Sequence, residues 1–199
     1  MNIIYNKILY NKIIRDETIL DSEIIQDIVN AKCNYSEFDI NWNDSYGWSI
    51  LTHAVSESVE LVKYLLMNPD IDINCRTSLN SNTAFHVLCS MCSNRIYILK
   101  LFISHRDINV NAQNFHGWTG LYFACWNNHI ECVRELLLDA RVDLSIRDDL
   151  EDSALNIALK RRHIGIAIML KKIGYTFLLR IPNASLCRDI IRMIIEEYT

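Results

Sequence analysis

Apolar residues recur at helical spacing in several short segments of this chain. The segments Glu60–Leu66, Tyr97–Phe102 and Glu131–Leu137 each place their apolar side chains on one face of a helix. Polar stretches in which apolar and polar residues alternate follow such segments, as in Asp72–Asn74 and Asp143–Ser145. Alternation with a period of two, followed by a turn, predicts one arm of a β-hairpin. The pattern therefore predicts helices that are joined by short hairpins.

A longer period is superimposed on these segments. Hydroxyl residues recur at Ser49, Thr83, Thr119 and Ser153, with spacings of 34, 36 and 34 residues. A hydroxyl side chain at the start of a helix accepts a hydrogen bond from a free backbone N–H, which contributes about 1 kcal/mol. Because one helical pair cannot bury its apolar face alone, we expect successive pairs to stack and create the core. A small or apolar residue follows each hydroxyl five positions later, at Ala54, Leu88, Ala124 and Ala158.

The motifs of these units resemble the Thr-Pro-Leu-His-x-Ala signature of the ankyrin-repeat family. Thr83–His86 and Gly117–Ala124 approximate that signature, and His129 and His163 each lie five residues after an Ala. The resemblance covers about Ser22–Gly174. It implies an all-α fold, an ankyrin-repeat solenoid of helix-turn-helix units with short β-hairpin loops, which recognises other proteins.

The repeat divides the chain into a central array with a cap at each end. Residues 1–43 are predicted to hold N-terminal capping helices and a half repeat, which we number unit one. Residues 44–174 hold four ankyrin repeats, units two to five, at approximately 44–77, 78–113, 114–147 and 148–174. Residues 175–199 are predicted to form a C-terminal capping helix that covers the exposed side of the last unit.

Some units depart from the regular pattern. The turn position held by Gly47 and Gly117 is occupied by Ser81 and Glu151 in the other units, where a positive φ is costlier. We therefore expect a reshaped turn at the start of the third unit. Two helix connections are irregular as well: Ser56–Val59, which is one residue short, and Cys89–Asn94, which is about two residues longer than its counterparts.

No constellation in the sequence is typical of an enzyme. The chain has no glycine-rich phosphate loop, no HExxH motif and no nucleophile elbow. His86, His129 and His163 occupy positions where the resemblance implies structural hydrogen bonds. The seven cysteines lie in apolar contexts, which predicts reduced thiols rather than disulfides. Cys89 and Cys92 form a CxxC pair without a second ligand pair at zinc-site spacing, so we expect core packing, no metal and no cofactor.

Charge and hydropathy narrow the class of partner. The net charge of −4 and the mixing of signs along the chain argue against nucleic acid. The basic run Lys160–Arg162 is interpreted as a solvated helix face. No segment reaches about 18 uninterrupted apolar residues, so we expect neither a membrane span nor a signal peptide. The expected location is intracellular and cytoplasmic, or the host cytoplasm if the chain comes from a virus or an intracellular pathogen.

The partner, another protein, is expected on the concave face of the solenoid. In the family, hairpin tips and the exposed side of each unit's first helix line this face, and the framework does not dictate their identity. Aromatic side chains gathered there are typical of interface hot spots. An alternative stays open for Trp48 and Trp118, which would then only pack against the neighbouring hairpin. The predicted partner-binding residues are Tyr46, Trp48, Asn80, Asn82, Met91, Phe115, His116, Trp118, Trp126 and Asn127.

Two other functions are compatible with the sequence. The segment Leu186–Ile191 resembles the core of a suppressor-of-cytokine-signalling box, although Asn183 departs from that pattern. This resemblance implies an alternative role as the substrate adaptor of a ubiquitin ligase, with an elongin-type adaptor as partner. A solenoid that joins only chains of its own kind is the third alternative.

The family resemblance also implies a modification site. In the family, an asparaginyl hydroxylase modifies an Asn at the end of the segment that corresponds to Asp72–Asn74, and it prefers a Leu about eight residues earlier. Asn74 follows Leu66 by eight residues. Asn74 is therefore the predicted hydroxylation site.

Overall fold

The computed structural model describes residues 21–34, 39–44 and 47–178, and in this part of the chain the regular structure is helical. A 3₁₀ turn, Cys92–Asn94, lies between the helices that end at Ser90 and begin at Ile96. Strand pairing in the described residues is reduced to isolated bridges, Asn43 to Ser49, Arg76 to Thr83 and Arg147 to Ser153. The α-helices are α1 (Asp21–Asn34), α2 (Ile50–Glu57), α3 (Val59–Leu66), α4 (Ala84–Ser90), α5 (Ile96–Ser104), α6 (Gly120–Trp126), α7 (Ile130–Leu136), α8 (Ala154–Lys160) and α9 (Ile164–Leu178).

The helices stack in two layers. The first layer consists of α2, α4, α6 and α8, each of which contacts the next. The second layer consists of α1, α3, α5, α7 and α9, which also pack in chain order. Each of units two to five contributes one helix to each layer, and unit one contributes α1 to the second layer among the described residues. The all-α solenoid predicted from the sequence is confirmed.

Side-chain caps begin the first-layer helices. Each cap residue has an extended backbone, and its hydroxyl oxygen accepts the N–H of the residue three positions later. These bonds satisfy backbone donors that have no partner within the helix, and each typically contributes about 1 kcal/mol. The predicted capping positions Ser49, Thr83, Thr119 and Ser153 are therefore confirmed.

One apolar core runs between the two layers. Ala54, Ala124 and Ala158 are fully buried on the first-layer helices, where small side chains let neighbouring helices approach. Leu65 and Leu136 are fully buried on the second-layer helices α3 and α7. Since each unit buries these side chains against its neighbours as well as within itself, the stability of the array is shared among units.

Four cysteines are part of this core. Cys89, Cys92, Cys125 and Cys132 are buried free thiols. Burial raises the pKa of Cys125 to about 12. A hydrogen bond with Cys132, and then burial, raise the pKa of Cys92. The predicted packing role of the CxxC pair is confirmed, because Cys89 and Cys92 behave as small apolar side chains.

The hairpin turns use the left-handed backbone conformation whether or not glycine is present. φ is +76° at Gly47 and +74° at Gly117, and it is +57° at Ser81 and +62° at Glu151. Gly117 has a second constraint, because a Cβ there would lie 2.8 Å from the Cα of Asp148 in the next hairpin. Close stacking of the hairpins therefore requires glycine at this turn.

The turn of the third unit is longer than the turns of the other units, whereas its left-handed residue has the same backbone conformation as theirs. Its closing bond joins Thr77 N–H to the Asn82 carbonyl, five residues on, at 2.8 Å. The equivalent bond of the fourth unit spans four residues, from Asn114 to Trp118. The Arg76 guanidinium donates to both the carbonyl and the hydroxyl of Ser81 and so supports the left-handed residue.

The alternating segments are Asx turns that bridge successive units, so their prediction as hairpin arms was wrong. Asp72 Oδ1 accepts the Asn74 N–H at 2.9 Å, and the intervening Ile73 is buried. The Asn74 amide then donates to the Asp107 carbonyl at 2.8 Å and accepts the Asn109 N–H at 2.9 Å. Asn41 and Asn111 make the same pair of bonds to their next units. Alternation here results from one buried residue between two turn-forming polar ones.

The irregular connections have simple structural solutions. In unit two, Ser58 ends α2 and also caps α3, because its side chain accepts the Leu61 N–H. Asn128 and Arg162 take the left-handed conformation in the longer connections of units four and five. In unit three the extra residues form the 3₁₀ turn Cys92–Asn94.

The predicted end caps fall largely outside the described residues. Residues 1–20 and 179–199 lie outside them, and with them most of the predicted capping helices. The helix α9 continues from Ile164 to Leu178, across the boundary predicted at residue 174. The predicted unit boundaries stay a prediction.

Candidate protein-binding surface

Four aromatic side chains of unit four, one just before α6 and three on it, pack together. Trp118 stacks on Tyr122 with ring centroids 5.0 Å apart and on Trp126 at 5.3 Å. Its contact with Phe123 is edge-on at 5.3 Å. His116, at the hairpin tip, extends the group with its ring 5.5 Å from Trp118. We call Trp118, Tyr122, Phe123 and Trp126 the aromatic platform.

The platform is attached to the hairpin of the next unit. Trp118 Nε1 donates to Asp148 Oδ2 at 3.2 Å, and the Tyr122 hydroxyl bonds to the same carboxylate. Burial raises the pKa of Asp148, but hydrogen bonds from Asp152 N–H, Tyr122, Leu150 N–H and Trp118 outweigh it, so the pKa lies below its usual value. Trp118 thus packs against the neighbouring hairpin, as the structural alternative for it predicted.

Three large apolar side chains are exposed at the hairpin tips. Leu79 is 65% exposed, Phe115 63% and Leu150 80%. The tips are joined by backbone hydrogen bonds, since Phe115 N–H donates to the Asn80 carbonyl at 3.0 Å and a 3.2 Å bond joins the tips of units four and five. We call Leu79, Phe115 and Leu150 the tip strip.

Sequence reasoning found Phe115 and missed the other two members of the tip strip. Leu79 and Leu150 lie among polar residues and belong to no helical or alternating pattern. The signal that could have found them is their distance from the left-handed turn residue. Leu79 and Phe115 precede it by two residues and Leu150 by one.

Trp48, a predicted aromatic residue of unit two, contacts a ring that is not part of the aromatic platform. The ring of Trp48 lies 4.8 Å from that of His53 on α2. Burial lowers the pKa of His53 to about 4, against an opposing effect of the Asp44 charge. Tyr46, the other predicted residue of this unit, lies outside the described residues.

The predicted polar residues are engaged within the framework. Asn82 accepts a hydrogen bond from the Asn114 side chain at 2.9 Å. The Asn127 amide donates to the carbonyls of Phe123 and Ser90, which lie on two adjacent first-layer helices. Asn80 contributes its carbonyl to the tip ladder. Met91, at the end of α4, is exposed, and its Sδ accepts a hydrogen bond from the Ser56 hydroxyl at 3.7 Å.

A cation lies over the platform. The Arg161 guanidinium is 4.1 Å from the ring centroid of Trp126. Sequence reasoning treated Lys160–Arg162 as a solvated helix face and missed this contact. The signal was available, because Arg161 follows its helix cap Ser153 by the same number of residues as Asn127 follows Thr119.

The three repeat histidines have structural hydrogen bonds, as the resemblance implied. Each ring contacts a backbone carbonyl on a neighbouring element, so it connects units instead of facing an open pocket. This prediction is confirmed by bonds of His86 to Ala112 and Trp118, of His129 to Ser90 and of His163 to Cys125, at 2.8 to 3.0 Å.

Metal centres and membrane-spanning helices each require a specific arrangement of residues. Among residues 21–34, 39–44 and 47–178, no group of His, Cys, Asp and Glu side chains has the arrangement of a metal site. Within the same ranges, no helix has both the length and the apolar character needed to cross a membrane.

Known proteins resemble this chain over its repeats. A family model described as "Ankyrin repeat" matches residues 46–78, and one described as "Ankyrin repeats (many copies)" matches residues 103–158. The SMC5-SMC6 complex localization factor protein 1 of Homo sapiens is 34% identical over 110 residues, which are 55% of this chain and 10% of that protein. A putative ankyrin repeat protein of fowlpox virus is 29% identical over 110 residues, or 55% of this chain and 24% of the viral protein.

A third relative is named as a cation channel. The transient receptor potential cation channel subfamily A member 1 of Homo sapiens is 31% identical over 98 residues, 47% of this chain and 8% of the channel. In all three cases the match spans a quarter or less of the relative. Ankyrin repeats are an architecture for protein–protein interaction and are generally not catalytic. From the stacked helix pairs, the capped first-layer helices and the two matching family models, the chain is an ankyrin-repeat protein.

Proposed function

We propose that this chain is a non-catalytic recognition module that binds a partner protein through the concave face of its solenoid, along the hairpin tips and first-layer helices. The observation that carries the proposal is the tip strip. Leu79, Phe115 and Leu150 are 63 to 80% exposed. Large apolar side chains that are exposed on neighbouring hairpin tips are typical of an interaction surface.

The aromatic platform supports the same proposal. It is continuous with the tips through His116, whose ring contacts Trp118. Large aromatic side chains that are already held by stacking lose little conformational entropy on binding. Such residues dominate interface energetics, each costing about 2 kcal/mol or more of binding free energy when truncated. We place the Trp126 ring and Phe115 at the centre of the interface.

We place the protein inside the cell, in the cytoplasm or another reducing compartment. The support for this is chemical. Cys75, Cys89, Cys92, Cys125 and Cys132 are free thiols, which is typical of reducing compartments. The relatives agree only in carrying related repeats, so no partner is transferred from their names.

An affinity capture with two matched variants tests the proposal. The immobilised full chain is exposed to a cell lysate, and captured proteins are identified by mass spectrometry. One variant carries Leu79→Ser, Phe115→Ser and Leu150→Ser. The control carries Met67→Ser and Leu138→Ser, which change side chains that are 85% and 76% exposed at the ends of second-layer helices. We expect a partner that the parent and the control capture and the tip variant does not.

Circular dichroism and thermal melting of both variants must match the parent. All five substituted side chains are exposed, so we expect the free energy of unfolding to change by no more than about 0.5 kcal/mol for each. Equal capture by the tip variant and the control would move the interface off the tips and contradict the proposal.

The two alternative functions keep their own tests. The ubiquitin-ligase adaptor rests on the segment Leu186–Ile191, which lies outside the described residues, and on no structural observation. Co-purification of the full chain with elongins B and C would support it, and soluble chain without them would remove it. Self-association would appear in light scattering as a mass that increases with concentration.

We also propose Asn74 as the hydroxylation site of this array. Asn74 differs from the equivalent bridging residues Asn41 and Asn111 in having Leu66 eight residues before it. Its amide is held by bonds to unit three, so the enzyme must open the Asx turn locally. Incubation with an asparaginyl hydroxylase should add one oxygen, which peptide mapping assigns to Asn74. Oxygen at Asn41 or Asn111 instead, or no added oxygen, would contradict the assignment.

A further inference from the structure

The guanidinium of Arg161 is positioned but not paired. It lies 4.1 Å from the centroid of the Trp126 ring, at the C-terminal end of α8. Within the described residues the guanidinium takes part in no hydrogen bond or ion pair; besides the Trp126 ring it interacts electrostatically with Tyr122, and the residue is exposed. A guanidinium over an aromatic face is attracted by the ring quadrupole, and its N–H donors remain available at the edge of the plane.

The neighbouring carboxylates are committed to other partners. Asp148 is buried and accepts bonds from the platform and from its own turn. Asp152 is buried and forms an ion pair with Lys160. Neither carboxylate is paired with Arg161, and the adjacent Arg162 is also exposed.

Two negative features near Arg161 determine where a negatively charged ligand group is favoured. The C-terminal carbonyls of α8 lie beside Arg161, but a helix of seven residues has a small dipole and Lys160 and Arg162 flank the same end. Asp149 and Glu151 are exposed at the tip of unit five. A negatively charged ligand group is therefore favoured beside Arg161 and disfavoured at that tip.

We propose that Arg161, held over the ring of Trp126, binds a side-chain carboxylate of an acidic peptide segment in the partner protein. This inference rests on the proposed function and specifies its chemistry: an extended segment with Asp or Glu beside apolar residues. The apolar residues lie across Trp126 and Trp118 towards Phe115, and the carboxylate accepts two parallel N–H bonds from the guanidinium. Such bidentate pairs are stronger and more directional than neutral hydrogen bonds. Stacking already restricts the arginine, so less entropy is lost on binding.

A random-peptide phage library panned on the full chain provides the probe. We expect the enriched peptides to carry Asp or Glu within a short apolar context. A synthetic copy of the strongest binder is then compared with a copy in which that acid is replaced by its amide. We expect the replacement to weaken binding to the parent about tenfold or more, as for a charge-assisted pair.

Variants of the chain assign the contact. Arg161→Gln should weaken the acidic peptide to the same extent, and against this variant the acidic and amide peptides should bind equally. Arg161→Lys keeps the charge without the planar fork and should restore only part of the affinity. Arg162→Gln is the matched control, because it removes an equal charge next to the site; we expect a change of about threefold or less, as for a charge at the rim.

The outcomes separate this inference from the proposed function. If acidic and amide peptides differ equally against the parent and Arg161→Gln, the carboxylate contacts another residue and the inference is overturned. If the peptides lack acidic residues but lose binding to the tip variant, the inference fails while the proposed function stands. If no peptide depends on Arg161, Trp126 or the tip strip, both fail.

Discussion

The stability of the array should depend on pH through His86, because the hydrogen bonds of this side chain require the neutral ring. Its Nδ1 accepts the Thr83 N–H at 3.0 Å, since that backbone group can only donate. Its Nε2 lies 2.9 Å from the Ala112 carbonyl and 3.0 Å from the Trp118 carbonyl, which can only accept. The proton is therefore on Nε2. A second proton on Nδ1 would remove the bond that the Thr83 N–H donates to this atom.

The magnitude follows from the pKa of this ring. Burial lowers the pKa of His86 from 6.5 to about 4, the two carbonyls raise it, and the positive charge of Arg76 lowers it further. The difference between 6.5 and about 4 corresponds to about 3 kcal/mol of unfolding free energy. As the pH falls below 6.5, the unfolded chain takes up the proton before the folded chain does. The contribution is therefore complete above pH 6.5 and is lost progressively towards pH 4.

Urea denaturation of three proteins over this pH range measures the effect. His86→Gln removes the titrating ring, so its unfolding free energy should fall less steeply with acid than that of the parent. Leu136→Ala is the control, because it lowers stability and leaves His86 in place. We expect the unfolding free energies of Leu136→Ala and the parent to differ by the same amount at every pH. The difference between His86→Gln and the parent should decrease by about 3 kcal/mol as the pH falls from 6.5 to about 4. Parallel curves for all three proteins would refute the assigned protonation state.

Three further predictions concern the framework. Leu136→Ala removes a fully buried side chain of α7 and should cost about 2–5 kcal/mol of unfolding free energy, and an unchanged melting midpoint would contradict the assigned core. Gly117→Ala forces a side chain into φ of +74° and against Asp148, so thermal melting should show a loss of about 1–3 kcal/mol. In native protein, iodoacetamide should label the half-buried Cys75 about tenfold faster than the buried Cys125, as peptide mapping would show.

The helical framework could be predicted because its signals are local. A hydroxyl at Thr119 caps the helix that follows it, and the cap depends only on residues within one turn. Buried apolar residues such as Leu65 and Leu136 recur at helical spacing, because each packs between the same two layers. Local chemistry and the repeat period agree at these positions, so the sequence alone was sufficient.

The segment Asp72–Asn74 could not be interpreted from its pattern alone. A strand arm and an Asx turn with one buried centre both produce polar-apolar-polar alternation. What distinguishes them is the partner of the Asn74 side chain, which lies more than thirty residues away at Asp107 and Asn109. A pattern within one unit does not contain that information, whereas the recurrence of Asn at positions 41, 74 and 111 points to it.

The candidate surface was predictable only in part, for a related reason. Trp126 and Phe115 stand out by residue type, whereas Leu79 and Arg161 became part of the surface through stacking between units. The turn that holds Leu79 has one more residue than its counterparts. Turn length and contacts across units are set by tertiary packing, so composition near these residues carries little signal.

Trp118 shows that framework and recognition are not separate duties in this array. Its indole N–H holds Asp148 of the next hairpin, while its ring supports Trp126, on which Arg161 lies. Truncating Trp118 would therefore weaken the contact between units four and five and misplace the cation at the same time. A loss of binding in that variant could not be assigned to a direct contact. Trp126 is also part of the framework, because it stacks on Trp118 and packs against the core. The side chains of the tip strip are exposed and apolar, so their truncation is the change that separates recognition from stability.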